Sequence, residues 1–253
     1  MIRGIEMDEK SKLDSDANLD GRPQRGRSGG KMLIFSALAL VLVAAVILIV
    51  KSNGGESLID TRSEETRKIS TVQDKIKEAD WIDVNLLPIN EYSRPGIYLE
   101  EVNSIVIHNI GNPATTAAQN RSYFAGLAQS GQTYASSNFI IDLDGGILEC
   151  VPVDEVAYCS NIRNEDSISI ECCHPDDSGE FSAETYESVV RLTAWLCVEF
   201  ELTADDVIRH YDITGKECPL YYVKNEDEWD RLRDNVAEEI DSILASHVET
   251  VAD

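Results

Sequence analysis

The chain has 253 residues, with 46 Asp and Glu against 22 Lys and Arg, for a formal net charge of −24. That balance excludes a nucleic-acid binder, which needs a basic footprint to displace counterions from phosphate, and disfavours electrostatic attachment to an anionic lipid surface. The length allows one or two domains.

Residues 1–31 are polar, rich in Gly and Arg and nearly free of large apolar side chains, which predicts a disordered leader. Met32 to Val50 then runs without a charged side chain. As a helix it spans ~28 Å, close to the ~30 Å hydrocarbon core of a bilayer, so residues 32–50 are expected to form a transmembrane helix. A cleaved signal peptide is the alternative, with the Ser-Asn-Gly-Gly stretch after Lys51 as a loose cleavage site. Arg22, Arg25, Arg27 and Lys31 precede the span and only Lys51 follows it closely. The positive-inside rule therefore leaves the N-terminus in the cytoplasm and places everything after residue 51 outside a bacterial cell membrane.

Residues 51–80 are charged, with sparse apolar positions, and read as an extracellular stalk, helical in part, that lifts the domain from the membrane; a folded domain is expected over 81–253. Within it, Asn103-Ser-Ile-Val-Ile-His108 is a short β-branched run ended by Gly111-Asn112-Pro113, a buried strand with His108 at its end. Thr115 and Thr116 cap a helix that runs to about Gln129 and stops at Gly131. Asn138–Asp142, a turn at Asp144-Gly145-Gly146 and Ile147–Val151 make a hairpin. In Ile168–Cys172 the apolar side chains alternate with Ser169 and Glu171, so these two share the other face. Ser182 caps a long amphipathic helix with Tyr186, Val189, Val190, Leu196, Cys197 and Phe200 inward. Asp205–His210 is a short extended segment, and Asn225-Glu-Asp-Glu228 resembles a capping box that opens a last helix with Trp229, Leu232, Val236, Ile240 and Ile243 inward. The sum is an α/β fold: one compact domain with a central mixed β-sheet flanked by helices, behind a single transmembrane helix and a stalk.

The chain has six cysteines, and Cys172 and Cys173 are adjacent, so they face opposite sides of any strand. A domain of this size has core enough without staples, which predicts mostly reduced, buried thiols with Cys218 as the exception. Of four histidines, His247 falls in an acidic tail and His174 precedes Pro175 in a loop, so both read as surface residues. His108 and His210 each end a strand-like run, and Cys218 follows His210 by eight residues. Two imidazoles and a thiolate suit Zn2+, and three protein ligands leave one position for water, whose pKa then falls to ~7.

His210-Tyr-Asp-Ile-Thr-Gly-Lys-Glu-Cys-Pro219 resembles the closing signature of the zinc-dependent N-acetylmuramoyl-L-alanine amidases, the superfamily of phage lysins, spore-wall hydrolases and peptidoglycan recognition proteins. Ile105–Pro113 looks like its opening strand. Ala135–Asp142, Asp154–Ala157 and Ser167–Glu171 match intermediate blocks in order, so the resemblance covers about residues 92–240. It implies zinc on His108, His210 and Cys218, Glu171 as general base and Lys216 as the oxyanion stabiliser. It also implies hydrolysis of the amide between N-acetylmuramic acid and L-alanine, with peptidoglycan stem peptide and glycan as the partners.

Asn109, Asn138, Cys159 and Arg163 are weaker candidates for substrate contact, and Arg163 and Arg209 could offset the acidic field near the site. Four positions depart from the family pattern. Ser137 stands where relatives carry an aromatic, Asn138 where His is common, Cys159 where a pocket His often follows, and Ile110 where Thr is frequent. A non-catalytic peptidoglycan-binding module, the same fold acting on a different amide, and a thiol hydrolase using Cys218 stay open as alternatives.

Overall fold

The computed structural model describes residues 63–252, with side chains through residue 248. The expected leader, the Met32–Val50 span and the start of the stalk lie outside the described residues. Among the described residues, no helix is long and apolar enough to cross a membrane.

Helix α1 (Glu64–Glu78) corrects the expected stalk. Ser63 caps it by accepting from the Thr66 amide, Glu64 and Glu65 sit in the first turn, and Lys75 and Lys77 in the last, as the helix dipole favours. Its Ile69, Val72 and Ile76 form a stripe buried in the main core. These apolar positions recur at helical spacing between charged residues, so a segment that looks like a solvated spacer is amphipathic. The folded unit therefore begins near Ser63, not near Trp81.

The sheet has six strands: β1 (Asp83–Val84), β2 (Ser104–Asn109), β3 (Phe139–Ile141), β4 (Ile147–Glu149), β5 (Ser167–Cys172) and β6 (Val207–Arg209). Their spatial order is β1-β4-β3-β5-β2-β6, and only the β3–β4 hairpin pairs antiparallel. Gly145 turns that hairpin at φ +83, and a Cβ there would lie 2.7 Å from the Glu184 carbonyl oxygen, so the tight turn and the close helix both need glycine. Helix α2 (Ala117–Ser130) is closed by a Thr116–Gln119 capping box and by Gly131 in the left-handed region, as the sequence predicts. Helix α3 (Ala183–Phe200) starts at Ser182, also as predicted.

Side chains alternate across the sheet. Ile105, Ile107, Phe139, Ile141, Ile168, Ile170 and Cys172 face one core, which α1, α3 and the last helix, α6 (Glu226–Ala252), cover; the short helices α4 (His210–Thr214) and α5 (Leu220–Lys224) precede α6. Ile140, Leu148 and Cys150 face a second core with Phe124 and Leu127 of α2. Trp229, Leu232 and Val236 of α6 are buried, and Ile240 and Ile243 pack at the margin. The Asn225 side chain donates back to the Tyr221 carbonyl instead of completing the expected capping box.

Candidate metal and catalytic site

Strands β2 and β5 run parallel in a register that sets His108 level with Glu171. Both residues fall on the sheet face opposite Ile107 and Ile170. On the other side of β2, Ile107 pairs with Arg209, the last residue of β6, so His210 follows at the same end of the sheet. His210 does not end a strand as expected; it opens the short helix α4 (His210–Thr214), which closes on Gly215. The chain then returns through Lys216 and Glu217 to Cys218, whose carbonyl accepts from the Tyr211 amide. Three parallel strands thus deliver their chemistry to one edge, the carboxyl ends where open α/β sheets bind ligands.

One ligand atom each from His108, His210 and Cys218 lies within 4.8 Å of the others. The residues are 1%, 6% and 3% exposed, so the cluster is desolvated. Cys218 Sγ stands 3.8 Å from His108 Nδ1. His108 Nε2 meets Ser160 Oγ at 3.2 Å, and His210 Nε2 meets Asn161 Oδ1 at 2.7 Å. His210 Nδ1 is buried with no hydrogen-bond partner. A buried polar atom without a partner is costly unless something else fills the role. Two nitrogens and a sulfur at this separation, one of them orphaned, fit a zinc-sized cation.

Burial, then the neighbouring His210 and Lys216 charges, holds the His108 imidazole well below its ordinary value. His210 is lowered by burial and by Lys216. Burial, with the Glu171 carboxylate adding to it, pushes the Cys218 thiol up to about 12. The His108–Cys218 pair thus rests as a neutral thiol beside a neutral imidazole. That is the opposite of an activated Cys–His nucleophile, which needs a depressed thiol pKa, and it disfavours the thiol hydrolase. A bound cation would draw off the thiol proton.

Glu171 joins the site from β5. Its residue is partly exposed, but its Oε2 is buried without a partner, and Oε1 lies 3.5 Å from Cys159 Sγ. Burial raises its pKa to about 7, against the opposing effects of Cys159, Lys216 and His174. Cys159, Glu171 and His108 also present ligand atoms within 4.8 Å of one another, so Cys159 belongs to the inner wall of the site. Lys216 is exposed on the loop after α4 and makes no ion pair among the described residues. Its charge acts on His108, His210, Glu171 and Cys218.

The other sequence candidates go elsewhere. Asn138 is fully buried: its amide donates toward the Val151, Pro152 and Glu155 carbonyls, and its Oδ1 accepts from the Ser169 amide and hydroxyl. It locks β3 to β5 and cannot touch substrate. Arg163 is bound to Asp166 and to Ser104 Oγ, so its charge tethers the loop before β5. Arg209 is spent on Asp212, Glu226 and the Tyr222 carbonyl and stacks over Trp229. Asn109 Oδ1 accepts from the Leu220 amide and its own amide faces Cys218 Sγ at 3.5 Å, which holds the Cys218 loop against β2. His174 is buried, not on the surface, with its ring nitrogens 2.7 Å from the Ile110 and Asp176 carbonyl oxygens. All six cysteines are free, five of them buried. Ser160 and Asn161, which contact His108 and His210 respectively, carry no sequence signal: they open a single 3-10 turn whose approach to residues 108 and 210 only the fold creates.

Residues 98–220 match the family model of the N-acetylmuramoyl-L-alanine amidases, type 2. The matched segment belongs to that family. It holds all three members of the metal cluster, Glu171 and Lys216. The chain is 31% identical over 180 residues to a probable N-acetylmuramoyl-L-alanine amidase of Bacillus licheniformis, covering 66% of this chain and 49% of the relative. It is 35% identical over 160 residues to the N-acetylmuramoyl-L-alanine amidase BlyA of Bacillus subtilis strain 168, covering 55% of this chain and 42% of the relative. The chain thus spans about half the length of these curated relatives. Among solved structures, a mutant endolysin from Bacillus subtilis superposes with a TM-score of 0.52 at 27% identity, covering 61% of this chain and 97% of that one. The catalytic domain of XlyA superposes with a TM-score of 0.52 at 26% identity, covering 61% and 98%. Both likenesses accord with the mixed sheet and flanking helices of this fold.

Proposed function

We propose that the domain is a zinc-dependent peptidoglycan amidase that hydrolyses the amide between N-acetylmuramic acid and the L-alanine of the stem peptide. The observation that carries the reading is the convergence of His108, His210 and Cys218 within 4.8 Å, beside Glu171, in a segment of the amidase family. Zinc, held by these three residues, would supply Lewis acidity to polarise the scissile carbonyl and acidify a water.

The chain's own residues do the rest. Glu171, with a carboxylate raised to about 7, is poised to accept a proton near neutral pH and to return it to the leaving amine. The Lys216 ammonium, free of ion pairs among the described residues, can swing toward negative charge that develops on the carbonyl oxygen. The buried floor formed by His108 and Cys218 keeps bulk water from competing for the cation. The absence of an aromatic at Ser137, which is fully buried and bonded to the Phe139 and Ser169 carbonyls, leaves Glu171 and Lys216 as the acid–base and electrostatic pair.

Digestion of purified cell wall tests the reading. The expected product is a stem peptide with a new N-terminal alanine and no new reducing sugar. New amino groups at any other residue would point to a different amide, and binding without release would point to the non-catalytic module. The uncharged Met32–Val50 segment supports a single-pass anchor that holds the domain outside a bacterial membrane. Recovery of a shortened protein from culture supernatant would contradict that placement.

A further inference from the structure

The loop between Cys159 and Arg163 touches both histidines of the cluster. His210 Nε2 is 2.7 Å from Asn161 Oδ1, and His108 Nε2 is 3.2 Å from Ser160 Oγ. A carboxamide oxygen can only accept, so the Asn161 bond requires the proton on His210 Nε2. The neutral ring then keeps its lone pair on Nδ1, the atom that is buried and has no partner. The Ser160 hydroxyl can accept in the same way from His108 Nε2, which leaves the lone pair of His108 on Nδ1, 3.8 Å from Cys218 Sγ. His108 thus turns Nδ1 to the Cys218 thiol, and both rings turn Nε2–H to the loop.

The loop is built to hold this arrangement. The Asn164 carboxamide oxygen accepts from the Cys159 amide at 3.0 Å and the Ser160 amide at 2.6 Å, which pins the backbone at both positions. Asn161 adopts φ +54, in the left-handed region that few residues other than glycine enter, asparagine among them. An asparagine satisfies both demands here: it takes the backbone conformation and carries the acceptor.

We propose that Asn161 and Ser160 are positioning residues of the metal centre, fixing His210 and His108 in the Nε2–H tautomer that offers Nδ1 to the cation. The inference rests on the zinc reading above. Partners of this kind orient metal-bound imidazoles, and their loss weakens metal affinity by about 10- to 100-fold.

The test uses the full chain in detergent, with four histidines to assign. Asn161→Gly removes the acceptor while accepting the positive φ, Asn161→Asp restores an acceptor, and Ser160→Ala removes the second hydroxyl. Zinc affinity is read by competition with a chromophoric chelator, and the histidine tautomers of the metal-free protein by long-range nitrogen–proton NMR. Expected are about 10- to 100-fold weaker zinc binding in Asn161→Gly, a smaller loss in Ser160→Ala and recovery in Asn161→Asp. The metal-free wild type should show His210 protonated at Nε2, and Asn161→Gly a mixture, with an unchanged thermal midpoint. Wild-type zinc affinity in a folded Asn161→Gly, or His210 protonated at Nδ1 in the wild type, overturns the positioning role alone. A wild-type chain that binds no zinc overturns the zinc reading and this inference with it.

Discussion

Gln73 Nε2 donates to Glu149 Oε2 at 3.2 Å, a buried contact that ties helix α1 to strand β4 across 76 residues of sequence. The same side chain accepts from the Val153 amide at 2.7 Å through its Oε1, so one glutamine in the helix bridges a strand and the loop that follows it. This contact and the apolar stripe below it make α1 a part of the folded domain.

Removal of residues 63–80 should therefore destabilise the domain. Ile76, fully buried, gives the finer probe: Ile76→Ala should lower stability by about 2–5 kcal/mol through lost burial and a residual cavity. Denaturant unfolding of the two variants checks this, and wild-type midpoints in both would return the segment to the role of a spacer.

Glu149 yields a pH dependence. It is fully buried, its Oε1 has no partner, and burial, with Asp154 adding to it against Gln73, the Val153 amide and Lys77, raises its pKa from 4.5 to about 7. The folded state therefore holds a proton between pH 4.5 and about 7 that the unfolded state has released. Its contribution to stability is lost as pH rises through that window. Glu149→Gln should be more stable than the wild type above pH ~7, by at most about 3 kcal/mol, and no more stable below pH ~4.5. Thermal melts of the metal-free protein across this range give the comparison; an advantage independent of pH would assign the effect to packing.

Glu171 and Lys216 should separate chemistry from metal binding. Glu171→Gln is expected to lower kcat by about 10²- to 10⁴-fold while zinc content holds. Lys216→Ala should lower kcat by about 10²- to 10³-fold if its ammonium meets the developing oxyanion. Muropeptide release by each variant, beside its metal analysis, decides the roles. A Glu171→Gln enzyme at wild-type rate would remove the carboxylate from the mechanism.

The metal cluster is legible in the sequence because His108 and His210 each end or follow a short β-branched run, strand ends in an α/β sheet converge, and Cys218 follows His210 by eight residues within the family-like closing signature. The pairing of His108 with Glu171 follows from a parallel register that alternation alone foreshadows. The packing of helix α1 into the core is hidden in the sequence because charged residues dominate its composition, although Ile69, Val72 and Ile76 keep helical spacing. Asn138 reads as a substrate contact in sequence because a polar side chain near a site looks the same whether it faces the cleft or satisfies buried backbone, as it does here. Ser160 and Asn161 were missed for the converse reason: their partners are 52 and 49 residues away, beyond any local pattern.

The most direct test of the central claim is elemental analysis of the purified full chain and of Cys218→Ser, each shown by circular dichroism to be folded. The account expects one zinc per wild-type chain and its loss from the variant, together with loss of stem-peptide release. A folded wild type without zinc, or a Cys218→Ser variant that keeps both metal and activity, would contradict it.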